Sequence, residues 1–118
     1  MSIRIRRMAN GDIVSDAMDR CGQHARIYLA QGDVRPVAID LSDSLGSLDT
    51  ISAATVVEGN ASLTTPTILA GVINTTITGG SGANYADIQA TLSTGEKITQ
   101  RIIVIENTPN LHSRDYEG

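Results

Sequence analysis

Cys21 and His24, in the run Cys21-Gly22-Gln23-His24, are the residues whose types and spacing could most readily do chemistry. A thiolate and an imidazole so placed could supply half of a tetrahedral zinc site. The other half is missing, because Cys21 is the only cysteine and His112 the only other histidine. As a nucleophile, Cys21 would need His24 or His112 as a base and an oxyanion hole, and no motif supplies the hole. Asp12, Asp16 and Asp19 could suggest calcium, yet they lack the close oxygen spacing and the sharp glycine turn of a calcium loop. Gly79-Gly80-Ser81-Gly82 could cradle a phosphate only if it led into a helix. The residues after it alternate as a strand, so the run reads as a turn. Asn60-Ala61-Ser62 and Asn74-Thr75-Thr76 fit the glycosylation sequon, with no secretory leader in front to give the match weight. The expectation is a protein that is not an enzyme, with no catalytic residue, no cofactor and no metal.

Arg4, Arg6 and Arg7 form a cluster of a different kind. Residues 1–35 hold six Arg and four Asp, a charge of +2, whereas residues 36–118 hold three basic and nine acidic residues, a charge of −6. The cluster reads either as a solvated basic edge that discourages strand pairing or as an arm that docks on an acidic surface of another copy, since the planar guanidinium grips carboxylates bidentately. On the docking reading the expected interaction residues are Arg4, Arg6 and Arg7 with Ile3 and Ile5 between them, joined by Ile103 and Ile105 of the last strand.

The elements that must carry these residues are β-strands. In 118 residues the chain has neither Trp nor Phe and three Tyr, and all twelve of its threonines lie from Thr50 onward. Few aromatic faces argue against carbohydrate and single-stranded nucleic acid as ligands, and the net charge of −4 argues against polyanions. No apolar run approaches membrane-spanning length. The expectation is no nucleic acid and no membrane partner, and synthesis in a cytoplasm. Val37, Ile39 and Leu41 alternate with polar or small residues, as do Ile51, Ala53, Thr55 and Val57. Pro66 breaks the stretch 63–69, Val72–Thr78 is β-branched, and Tyr85–Ser93 alternates cleanly before a turn at Thr94-Gly95-Glu96. Lys97–Glu106 closes the series, with Ile102-Ile103-Val104-Ile105 apolar on both faces. Strands at this spacing imply an all-β sandwich over residues 36–107, with Ile39, Ile51, Ile73, Ile77, Ile88, Leu92 and Ile102 buried. Both faces of the last strand should be covered, by the N-terminal segment through Ile3 and Ile5 or by another subunit. Residues 1–35 read as an arm or hairpin making contacts between subunits, with extended structure favoured over a short helix at Asp12–Arg20. Residues 108–118 read as a polar tail.

The stretch Val37–Glu106 resembles the small immunoglobulin-like proteins of tailed bacteriophage virions, the fibre-tail adaptor and tail or neck proteins. The residues concerned are VAIDLSDSL, LDTISAATVV, VINTTITGGSGANY and YADIQATLSTGEKITQRIIVIE. The resemblance covers about 70 of the 118 residues and rests on turns and alternation. It implies an immunoglobulin-like β-sandwich with an N-terminal extension. It also implies a structural part of the virion, assembled in the bacterial cytoplasm as a homo-oligomer with other virion proteins. The alternative is a free-standing immunoglobulin-like binding or decoration module on a capsid or cell surface. Tyr85 sits where a tyrosine corner is expected, but strict alternation puts it opposite Ile88 and Leu92. A bulge near Asn84–Ala86 would be needed to turn it inward.

Overall fold

The computed structural model describes residues 3–8, 13–15, 19–21, 24–46 and 49–107, with side chains described from Ala25 onward and in residues 3–8. Eleven strands appear: β1 (Ile3–Arg7), β2 (Ile13–Ser15), β3 (Asp19–Cys21), β4 (His24–Leu29), β5 (Val34–Asp40), β6 (Ile51–Gly59), β7 (Ser62–Leu63), β8 (Thr67–Leu69), β9 (Val72–Thr78), β10 (Ala83–Leu92) and β11 (Lys97–Glu106). The first sheet runs β2-β1-β5-β9-β7, with β8 also paired to β9. The second runs β3-β4-β11-β10-β6. Neighbours are antiparallel except for two pairs, β1 with β5 and β4 with β11. The all-β sandwich expected from the sequence is what the two sheets form, and the seven residues expected in its core are all buried.

A core without Phe or Trp must be filled by branched aliphatic side chains. Alternation delivers them to one face of each strand. Ile3 and Ile5 of β1, Val37 and Ile39 of β5 and Ile73 and Ile77 of β9 face Ala25, Ile27 and Leu29 of β4, Ile102 and Val104 of β11 and Ile88 and Leu92 of β10. Polar atoms that enter this layer are tied. Arg7 continues the inward parity of Ile3 and Ile5, and its guanidinium donates across to Gln100 Oε1 of β11 at 2.7 Å. The Thr75 hydroxyl donates to the Thr64 carbonyl at 2.8 Å. Among the described residues, no buried side-chain nitrogen or oxygen lacks a partner.

The segment expected to be a separate arm is built into both sheets. β1 pairs with β5 from Ile3 opposite Val37 to Arg6 opposite Asp40, and β4 pairs with β11 from His24 opposite Arg101 to Leu29 opposite Glu106. Ile5, Ala25 and Ile27 are as fully buried as any residue of the later strands. Sequence alternation reveals which face of β1 is apolar but not which strand it lies beside. The boundary at residue 35 follows charge and threonine content, not packing. The segments 13–15 and 19–21 are extended rather than helical.

β6 also departs from simple alternation. Its pairing with β10 shifts register between Asp87 and Ile88 and between Thr91 and Leu92, which leaves Val57 and Ser52 as extra residues. Ala54 and Val56, not Ala53 and Thr55, are thereby on the same side as Ile51. At the end of β6, Gly59 has φ +117, and a Cβ there would stand 2.2 Å from the Tyr85 carbonyl oxygen. That oxygen accepts from both Asn60 N and Ala61 N at 2.9 Å, so the turn requires the glycine.

If β1 belongs to the core, Ile5→Ala should cost about 2–5 kcal/mol of unfolding free energy, as at other aliphatic core sites. Ile103→Ala, on the outer face of β11, should cost clearly less. Urea unfolding of the two variants checks this, and a negligible loss at Ile5 would detach β1 from the core.

Candidate interaction face

The outward side of the second sheet carries Tyr28, Tyr85, Arg26 and Arg101. β10 and β11 pair without interruption from Ala83 opposite Ile105 to Thr91 opposite Lys97. Strict alternation therefore holds, and Tyr85, Asp87, Arg101, Ile103 and Ile105 share the outer face. No bulge turns Tyr85 inward; both register shifts are carried by β6. β4 adds Arg26 beside Ile103 and Tyr28 beside Ile105.

The centre of this face is a fixed charge cluster. Arg101 donates to both carboxylate oxygens of Asp87, at 2.8 and 3.0 Å, and lies 4.0 Å from the Glu58 carboxylate of β6. Its guanidinium carbon is 4.3 Å from the centre of the Tyr85 ring. The hydrogen bond to Asp87, more than the accompanying charges, raises the Arg101 pKa. Beside this cluster Ile103 and Ile105 are half-buried and Tyr28 is 42 % exposed. Among the described residues, the long side chains of neighbouring strands flank the outer isoleucines without a third layer above them. Ile3 and Ile5 do not provide that cover. They are buried in the inter-sheet core, so neither is available to a partner as expected from the sequence.

The arginine cluster is also used within the chain. Arg4 reaches the Asp40 carboxylate at 2.6 Å, Arg6 reaches Asp43 at 2.9 Å, and Arg7 binds Gln100. The opposite charges of the N-terminal segment and the body meet in one molecule, across sequence separations no local motif reveals. Asp40 is nearly inaccessible. Burial by itself would raise its pKa, but hydrogen bonds from the Ser42 hydroxyl and backbone N–H and from Arg4 outweigh it, and the net shift is downward. Arg7 is lowered by desolvation.

Of the remaining sequence candidates, Cys21 and His24 stand opposite each other in the β3–β4 register, and their side chains lie outside the described ones. Asp12, Asp16 and His112 lie outside the described residues, and only the strand position of Asp19 is described. The glycine run 79–82 joins strand β9 to strand β10, as its reading as a turn requires, and the Gly79 N–H donates to the Asp33 carbonyl. Tyr85 and Arg101 were legible as neighbours only once β10 and β11 were aligned through the turn at Gly95.

Because the Asp40 pKa is depressed in the folded state, its contribution to stability should be full above the ordinary aspartate value of 3.8 and lost as pH falls through the folded value. Urea unfolding of wild type and Asp40→Asn at a series of pH values should show a gap that narrows on acidification below that point. Parallel curves would contradict the assignment. No family model, no curated protein and no solved structure matches this chain.

Proposed function

We propose that this chain is a non-enzymatic structural component of a tailed bacteriophage virion, an immunoglobulin-like sandwich at the neck, collar or tail. It would link fibres or ring proteins to the tail through its sheet surfaces. The connectivity supports the immunoglobulin-like reading. With β5 as strand B, the sheet β5-β9-β8 has the order B, E, D, and the facing sheet β11-β10-β6 has the order G, F, C. β1 to β4 are then additions that widen both sheets.

The observation that carries the assembly role is the outer face of the second sheet. Ile103, Ile105, Tyr28 and Tyr85 form an apolar row half open to solvent, bordered by the fixed Arg101–Asp87 pair. Aromatic and arginine side chains with apolar neighbours are the usual centre of a protein–protein contact, and a preset ion pair lowers the ordering cost of binding. Two clefts among the described residues are open grooves lined mostly by threonine and small or aliphatic side chains, with Asn74 in one of them, which suits contact with protein more than catalysis.

The test is incorporation. Tailed particles purified from cells producing the chain should contain it in fixed stoichiometry by peptide mass spectrometry, and immunogold labelling should sit at the neck or tail. Ile103→Asp, which leaves the core untouched, should abolish incorporation while the variant remains folded by circular dichroism. Recovery of wild-type chain only from the particle-free fraction would contradict the virion reading.

A further inference from the structure

Among the described strands, β6 is the longest at a sheet edge, nine residues paired on one side only, to β10. Edge strands of stable proteins are blunted by lysine, proline, shortness or bulges, and the bulges of β6 at Ser52 and Val57 leave residues 53–56 regular between them. β6 has no lysine and no proline, and its one charge, Glu58, lies near its end. Two of its valines are exposed, Val56 at 40 % and Val57 at 51 %. Beneath its inward-facing residues Ala54 and Val56, a cleft of about 310 Å³ separates it from Leu63 and Pro66 at the edge of the first sheet. The sandwich is open along this side, and the opening combines a free backbone edge with an uncovered apolar strip.

We infer that this edge pairs with the same edge of a second copy, β6 antiparallel to β6 about a two-fold axis at Thr55. The proposal rests on the assembly role above and specifies one of its contacts. The strand's own sequence favours a second copy as occupant. In an antiparallel pair centred on Thr55, the two threonines stand opposite each other on the outer face, a favourable cross-strand pair, and Ala54 meets Val56 on the inner face twice. These small side chains extend the apolar strip over the cleft without overfilling it. The charges also fit: the two Glu58 carboxylates lie six residue steps apart, roughly 20 Å, well beyond the screening length at physiological salt. A parallel or head-to-tail pairing in register would bring them together. The bulges at Ser52 and Val57 confine regular pairing to the segment between them, which fixes the register around Thr55.

The experiment uses the full chain in a Cys21→Ser background, so that introduced thiols are the only ones present. Sedimentation velocity over a concentration series should show a monomer–dimer equilibrium. Val56→Lys should raise the dissociation constant about tenfold or more with the far-ultraviolet spectrum unchanged. Under mild oxidation, Thr55→Cys should form a covalent dimer, because its two copies face each other. Ser52→Cys should not, because its copies are roughly 20 Å apart in this register. A monomer at every concentration overturns the pairing, as does a dimer that Val56→Lys leaves intact or that cross-links equally through both positions. Incorporation into particles, measured on the same Val56→Lys variant, separates the two claims. A Val56→Lys variant that is monomeric in solution yet enters particles normally refutes the β6 pairing as an assembly contact, whereas absence of the wild-type chain from particles refutes the virion role and leaves the pairing to stand on the sedimentation result.

Discussion

The contact between the inner faces of the two sheets is the interaction on which everything else depends. It is made almost wholly of isoleucine, valine and leucine, and each fully buried aliphatic side chain contributes roughly 1.5–3 kcal/mol relative to exposure. No large aromatic fills the space, so many strands must each add two or three residues. That requirement explains why β1 and β4 are drawn into the sandwich. They lie parallel to β5 and β11 and supply Ile3, Ile5, Ala25, Ile27 and Leu29. Arg7 and Gln100 fix the two sheets to each other at the border of this layer, and the ion pairs of Arg4 and Arg6 hold the first strand from outside.

The same alternation that fills the core dictates the outer face. Once Ile102 and Val104 point inward, Ile103 and Ile105 must point outward, and the uninterrupted pairing of β10 with β11 sets Tyr85 and Arg101 beside them. Under the proposed assembly role, an apolar run on both sides of one strand follows from two surfaces being used, one for folding and one for contact. The Asp87 and Glu58 carboxylates hold Arg101 over Tyr85, so the face keeps its shape without a partner.

Much of this was legible in the sequence, for a reason that also sets its limit. Period-two alternation records which side of a strand is buried, so β5, β9, β10 and β11 and their inward residues could be read from Val37 to Glu106. It does not record neighbours. Ile3 and Ile5 are recognisable as strand residues, but their pairing with Val37 and Ile39 depends on contacts more than thirty residues away. The reach of Arg4 to Asp40 was hidden for the same reason. In β6, the two extra residues shift parity, and only alignment against β10 reveals that Ala54 and Val56 are the inward pair.

The most direct measurement of the central claim, that the outer face of the second sheet is what assembly covers, is amide hydrogen exchange by mass spectrometry on the chain free and within particles. Exchange in the core strand β9 should be slow in both states. Peptides spanning Ala83–Asp87 and Thr99–Ile105 should become markedly slower in the particle, because a partner seated on Tyr85, Ile103 and Ile105 excludes water from the strands beneath. Equal exchange of those peptides in the two states, with protection gained elsewhere, would contradict it.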